Sequence, residues 1–225
     1  MAVSSPKAVK WALVILLTCA LGACRSVTYR ALETFGIEKR DILVDRVERA
    51  REAQTEARDQ FVSALDRFRA LVDVDAGELE STYDALAAEL RRSEQRAQAV
   101  RSRIDAVEIV AEDLFDEWAA EIDDYSDASL RRDSERLLSE TRRRYTTLMR
   151  AMRRAEEAMA PVLETFEDQV LFLKHNLNAR AIGSLRGELA SIERQTSSLI
   201  GDMERAIAEA DRFIASLSDG RAAEG

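Results

Sequence analysis

The apolar and small residues of this chain recur at alternating steps of four and three over most of its length, and that spacing constrains the fold more than any other feature. In the first run Leu43, Val47, Ala50, Ala57, Phe61, Ala64, Phe68 and Leu71 share one stripe, with Gln54 in the remaining slot. Such a repeat belongs to α-helices packed along a seam, whereas a half-buried strand alternates every second residue. A second run holds Leu86, Leu90, Ala97, Val100, Ile104, Val107, Ala111, Leu114, Trp118 and Ile122. The third takes in Leu130, Leu137, Thr141, Tyr145, Leu148, Met152, Ala155, Met159, Val162, Phe166, Val170, Leu173 and Leu177, and crosses Pro161. In the fourth, Ile182, Leu185, Leu189, Ile192, Leu199, Met203, Ala206, Ala210, Phe213 and Leu217 have slipped by one residue from the third.

The breaks between runs fall where turn chemistry is found. Gly77 ends the first pause, and Asp123, Asp124, Tyr125, Ser126 and Asp127 form the second, with Ser126 or Asp127 placed to cap the following helix. Asn176 and Asn178 sit at the slip, and asparagine competes for local backbone hydrogen bonds. Pro161 removes one helical hydrogen bond and predicts a kink rather than a stop. With 8 Gly and 2 Pro among 225 residues, the chain has little material for other turns. The expected fold is all-α, an elongated antiparallel four-helix coiled-coil bundle running up-down-up-down. The alternative is three long helices, the last continuous through the slip.

Ahead of the seams lies a different kind of segment. Lys7 and Lys10 precede an apolar run over residues 11–21, then Gly22 and Ala23, the order of a secretory signal. That run is shorter than the roughly 20 apolar residues that span a bilayer. Leu21-Gly22-Ala23-Cys24 resembles the lipobox of bacterial lipoproteins, in which the cysteine thiol receives a diacylglyceryl group, the signal is cut before it and the new amine is acylated. Cys19 lacks the small preceding residue that cleavage there would need. Two or more acyl chains hold a protein firmly, since each buried methylene contributes about 0.8 kcal/mol. Arg25 follows the cysteine in place of the aspartate that retains well-studied Gram-negative lipoproteins in the inner membrane, which points to the periplasmic face of the outer membrane. The boundaries expected are a removed signal at 1–23, a lipidated tether at 24–36, the bundle at 37–217 and a disordered tail at 218–225.

Charge narrows the function classes. The formal charge is -9, and loss of residues 1–23, with two lysines and no acid, makes it -11. A field of that sign opposes nucleic-acid phosphates, so no nucleic-acid partner is expected. Nine acids lie between Asp105 and Asp124 with no base among them, and Arg131, Arg132, Arg136, Arg142, Arg143 and Arg144 follow. Folded back on one another, these stretches would pair and fix which helix lies beside which. Attraction of the arginines to anionic lipid headgroups is the other use open to them.

Catalytic chemistry is hard to build from these residues. His175 is the single histidine, and the residue three before it is Phe172, which excludes the paired Glu-x-x-His of a di-iron bundle. No metal and no other cofactor is expected. Cys19 and Cys24 both lie outside the seams, so the bundle has no thiol for a zinc site. Gly183 and Gly187 have the spacing of close-packed helices, although outside a bilayer that spacing also arises by chance. Leu171, Phe172 and Leu173 are three consecutive apolar residues that cannot all face one seam. At least one is therefore expected to be exposed or to cap the bundle end, beside Lys174, His175 and Arg180, as a candidate partner contact.

Several stretches taken in order, ALETFGIEKRDILVDRVERAREAQTEARDQF, LFDEWAAEI, SLRRDSERLLSETRRRY and DQVLFLKHNLNARAIGSLRGELASIE, resemble a family of predicted bacterial lipoproteins known as domain of unknown function 2959. The resemblance extends over residues 29–217. It implies an envelope lipoprotein and a helical bundle, and carries no activity and no site residues. The functional expectation is a non-enzymatic envelope scaffold or adaptor, lipid-anchored at Cys24, with an unidentified envelope protein as partner. A module holding lipid or another amphipathic ligand is the alternative, and a carboxylate-dependent hydrolase comes third. Self-association through the seams stays open, because four segments in one chain can also satisfy one another.

Overall fold

A computed structural model describes residues 39–71, 79–176 and 179–222. Four helices account for these residues apart from the short turns: α1 (Lys39–Leu71), α2 (Leu79–Ile122), α3 (Ala128–His175) and α4 (Ala179–Ala222). The chain divides into two compact units, Met1–Ile42 and Leu43–Gly225. Of the first, only the opening turn of α1 is described; the second holds the remainder of all four helices.

Pairs across the helix interfaces run in opposite senses along the sequence, so neighbouring helices are antiparallel. Arg51 meets Asp211 at 2.8 Å and Arg69 meets Glu193 at 2.7 Å between α1 and α4. Between α1 and α2, Arg96 pairs with Glu56, and Gln60 Nε2 donates to Glu89 Oε2 at 2.6 Å. Arg101 to Glu156 at 2.8 Å and Trp118 Nε1 to Ser134 Oγ at 2.8 Å join α2 to α3. Arg154 to Asp202, also 2.8 Å, and Thr165 to Gln195 at 2.9 Å join α3 to α4. The arrangement is the expected up-down-up-down four-helix bundle.

The stripes read from the sequence form its core. In α1, Leu43, Val47, Ala50, Ala57, Phe61 and Ala64 are fully buried, and so is Gln54, whose amide makes no hydrogen bond. Phe61 and Phe68 cross the core to Phe166 of α3, with ring centroids 6.2 and 4.7 Å away. The seam departs from expectation near the α2–α3 turn. There Phe115 and Leu138 are buried, Leu114, Trp118 and Leu137 only partly, and Leu130 is 57% exposed. By the register of the α3–α4 pairs, Leu130 lies beyond the level of Ala222, where α4 ends among the described residues.

The turn expected at Gly77 lies outside the described residues, and the other two breaks follow the chemistry expected of them. Asp127 caps α3, its Oδ1 accepting from the amides of Ser129 at 2.7 Å and Leu130 at 3.1 Å. α3 then runs unbroken through Pro161 and stops at His175. Asn176 ends it: its amide donates to the Leu173 carbonyl at 3.1 Å, and its Nδ2 to the Phe172 carbonyl at 3.0 Å. The three-helix alternative, continuous through the slip, therefore does not hold. α4 continues to Ala222, with Ser218 Oγ bonded back to the Ile214 carbonyl at 3.0 Å.

Gly183 and Gly187 do not mediate a close helix contact, since a Cβ added at either would meet nothing within 4 Å. Both sit in exposed helix, where glycine is less favourable than alanine by about 1 kcal/mol. Gly187→Ala should therefore stabilise the fold by about that amount, read as a higher urea midpoint with an unchanged slope. A loss of stability would place an unseen neighbour against that position.

Candidate functional site

The three apolar residues at the end of α3 are divided by the helix. Leu173 lies on the inner stripe and is fully buried, while Leu171 is 53% and Phe172 39% exposed. Lys174 and His175, both exposed, occupy the last turn, where positive charge suits the helix C-terminus. The Asn176 side chain fixes this geometry by satisfying the Phe172 carbonyl, one of those left without a helical partner at a C-terminus. The result is an apolar pair beside a cation on a rigid helix end. Leu171, Phe172, Lys174 and His175 all lie exposed near the C-terminal end of α3. The Arg180 side chain and Cys24 lie outside the described residues.

Elsewhere the ionisable groups are mostly committed to holding helices together. Arg153 of α3 is the main clasp to α2, reaching Glu108 through Nη2 at 2.6 Å and Asp105 at 2.6 Å, and Glu156 of its own helix at 2.6 Å. The hydrogen bonds it donates to Glu108 raise its pKa against the opposing effect of burial. Tyr145 lies in the same interface, edge-on to Phe115 with centroids 5.3 Å apart. Burial, with the charges of Glu108 and Glu112, pushes its phenol up to about 12.

Pairing of the acidic and basic stretches is partly as expected. Arg131 pairs with Asp123 across the turn, but Arg136 turns to Asp133 and Arg144 to Glu140, both within α3. Arg142 Nη2 instead donates to the Phe115 carbonyl at 3.0 Å, with its guanidinium 5.5 Å from the Phe115 ring centre. Arginines three and four residues from an acid on the same helix find it locally at little entropic cost, which is why the turn-spanning pairs are fewer.

Sequence reasoning missed a buried carboxylate. Glu89 is only 4% exposed, yet it faces Gln60 and accepts from Arg92 Nη2 at 2.6 Å, with Arg67 at 3.8 Å. Beside it the fully buried Ser93 donates to the Glu89 carbonyl at 2.9 Å. The signal available was a gap: the second stripe passes from Leu90 to Ala97 without an apolar residue in the slot of Ser93. Burial pushes the Glu89 carboxyl upward, but hydrogen bonds from Arg92 and Gln60 and the charges of Arg92 and Arg67 outweigh it and hold the group below its ordinary value. Asp202 is likewise buried, between Arg154 and Arg205.

Among the described residues, no group of three or more His, Cys, Asp or Glu side chains is arranged to hold a metal ion, and no helix is long and apolar enough to cross a membrane. Comparison with known proteins gives one family match: the profile described as Protein of unknown function (DUF2959) covers residues 28–217. No curated protein and no solved structure matches the chain.

The depressed Glu89 carboxyl gives a pH dependence of definite sign. Its contribution is present above its unfolded-state value of 4.5 and is lost as pH falls through the lower folded value. Glu89→Gln should cost about 1–3 kcal/mol at neutral pH, as a buried hydrogen bond to a charged group is lost. The deficit should shrink below pH 4.5. Urea titrations at several pH values check this, and a deficit independent of pH would mean that the carboxylate charge contributes nothing.

Proposed function

We propose, for a chain that belongs to the DUF2959 family of proteins of unknown function, the role of a lipid-anchored envelope scaffold or adaptor that performs no catalysis of its own. The observation that carries this reading is the exposed Leu171 and Phe172 pair beside Lys174 and His175. A bundle that buries its stripes so fully has no folding reason to leave two large apolar side chains in water at one helix end. Apolar residues rimmed by polar and charged side chains are the chemistry of a protein contact.

Position supports the same reading. Leu43, where the chain enters the bundle, lies toward the α2–α3 turn, because α1 is antiparallel to α2. Phe172 lies toward the opposite end, and between Leu130 and Phe172 α3 spans roughly 60 Å at 1.5 Å per residue. A chain anchored through Cys24 at the periplasmic face of the outer membrane would enter the bundle at one end and offer its contact residues at the other.

Two substitutions test this in cells. Cys24→Ser should abolish incorporation of labelled palmitate while circular dichroism shows unchanged helicity; a parent chain that incorporates no label removes the anchor. Phe172→Ala should cost less than about 1 kcal/mol, well below the 3–5 kcal/mol of a core phenylalanine, and should lose crosslinks to an envelope protein that the parent captures. Identical crosslinks from parent and mutant would remove the contact surface.

A further inference from the structure

Three arginines of α3 are gathered beside the end of α2. Arg142, Arg143 and Arg150 line an open groove of about 640 Å³ that runs along α3 beside the C-terminal turn of α2. Ala119, Ile122 and Leu138 form its apolar wall, and Ser139, Thr146 and Thr147 add hydroxyl groups. Arg142 is held in place by the Phe115 carbonyl and ring, which leaves further N–H donors on its guanidinium. Arg143 and Arg150 are exposed and, among the described residues, have no acidic partner. The single acid of the lining, Glu135, lies 3.5 Å from Arg131.

On a chain of charge -9, this groove gathers three guanidiniums with a single acid, Glu135, in its lining. Guanidiniums without acids, beside an apolar wall, suit a ligand that is anionic at one end and apolar at the other. Their planar forks match the oxygens of a phosphate. The net negative field argues against docking to a broad anionic surface and for capture of one headgroup within the groove.

We propose that this groove binds a single anionic phospholipid, its phosphate held by Arg142, Arg143 and Arg150 and its glycerol and first methylenes lying against Ala119 and Ile122. The site lies toward the end of the bundle that the chain enters at Leu43. It does not depend on lipidation of Cys24 or on the contact at Phe172.

The test compares variants in a common Cys24→Ser background, so that no attached lipid competes, by flotation with phosphatidylcholine vesicles made with or without phosphatidylglycerol. The parent should bind only when phosphatidylglycerol is present. Arg143→Ala with Arg150→Ala should weaken binding roughly thirty-fold, two guanidiniums contributing about 1 kcal/mol each, with helicity unchanged. Arg91→Ala with Arg194→Ala makes the same change of charge on exposed arginines outside the groove, and should leave binding as it was. Equal loss in both double variants would mean a general field and overturn the site, as would binding indifferent to phosphatidylglycerol. Displacement by millimolar inorganic phosphate would make it a phosphate site and overturn the phospholipid; persistence of binding under phosphate supports it.

Discussion

Each helix carries a single apolar stripe, and a stripe on a rod of this length can leave water only against other stripes. Four such rods in one chain solve the problem among themselves, provided that the backbones approach closely enough for the stripes to interdigitate. Ala50, Ala57 and Ala64 of α1, Ala155 of α3 and Ala206 and Ala210 of α4 supply that closeness, all of them buried. Phe61, Phe68 and Phe166 then fill the width that small residues leave. Large and small residues thus alternate along the core, which is how close packing is reached without strain.

Hydrophobic burial has no direction and would accept more than one order of helices. The polar groups choose among them. Glu89 with Gln60 joins α1 to α2, Arg153 with Asp105 and Glu108 joins α2 to α3, and Asp202 with Arg154 joins α3 to α4. Exposed pairs, Arg51 with Asp211 and Arg69 with Glu193, close α1 onto α4. Pairs at the surface contribute only about 0 to 1 kcal/mol each. Their consequence is specificity, because in the wrong order the half-buried carboxylates would lose their partners and keep the cost of desolvation. Gln54 is an exception. It sits fully buried with no hydrogen bond, a cost the structure bears without an evident return.

Most of this was legible in the spacing of residues. A heptad stripe is a local property, so Val47, Phe61, Ile104, Met152 and Phe213 could be placed in the core one helix at a time. The break at Asn176 was legible for the same reason, as a change of phase within the sequence. Pairing between helices was read less well, because an arginine on a helix has several acids within reach and the choice depends on rotamers and on the rotation of the neighbouring rod. Arg136 and Arg144 settle within α3 for that reason, and Arg153, beyond the obvious basic run, became the clasp. Glu89 was hidden because a charged residue beside a seam is read as solvated unless its partners on another helix are known.

The ends of the bundle follow different rules from its middle. Along the central layers every stripe has three others to meet, and side chains are selected for packing. Where the helices end at different levels, a stripe outlasts its partners, and packing no longer dictates the residue. Of the large apolar side chains exposed among the described residues, Val62 lies within a helix, while Tyr125, Leu130, Leu171 and Phe172 lie in or near the inter-helix turns. Leu130 lies beyond the level at which α4 ends among the described residues. The same does not hold for Leu171 and Phe172, because Leu173 is buried beside them and the helix had the option of polar residues at both positions. A residue that folding does not require, at a capped helix end, is where a bundle of this kind has freedom to carry function.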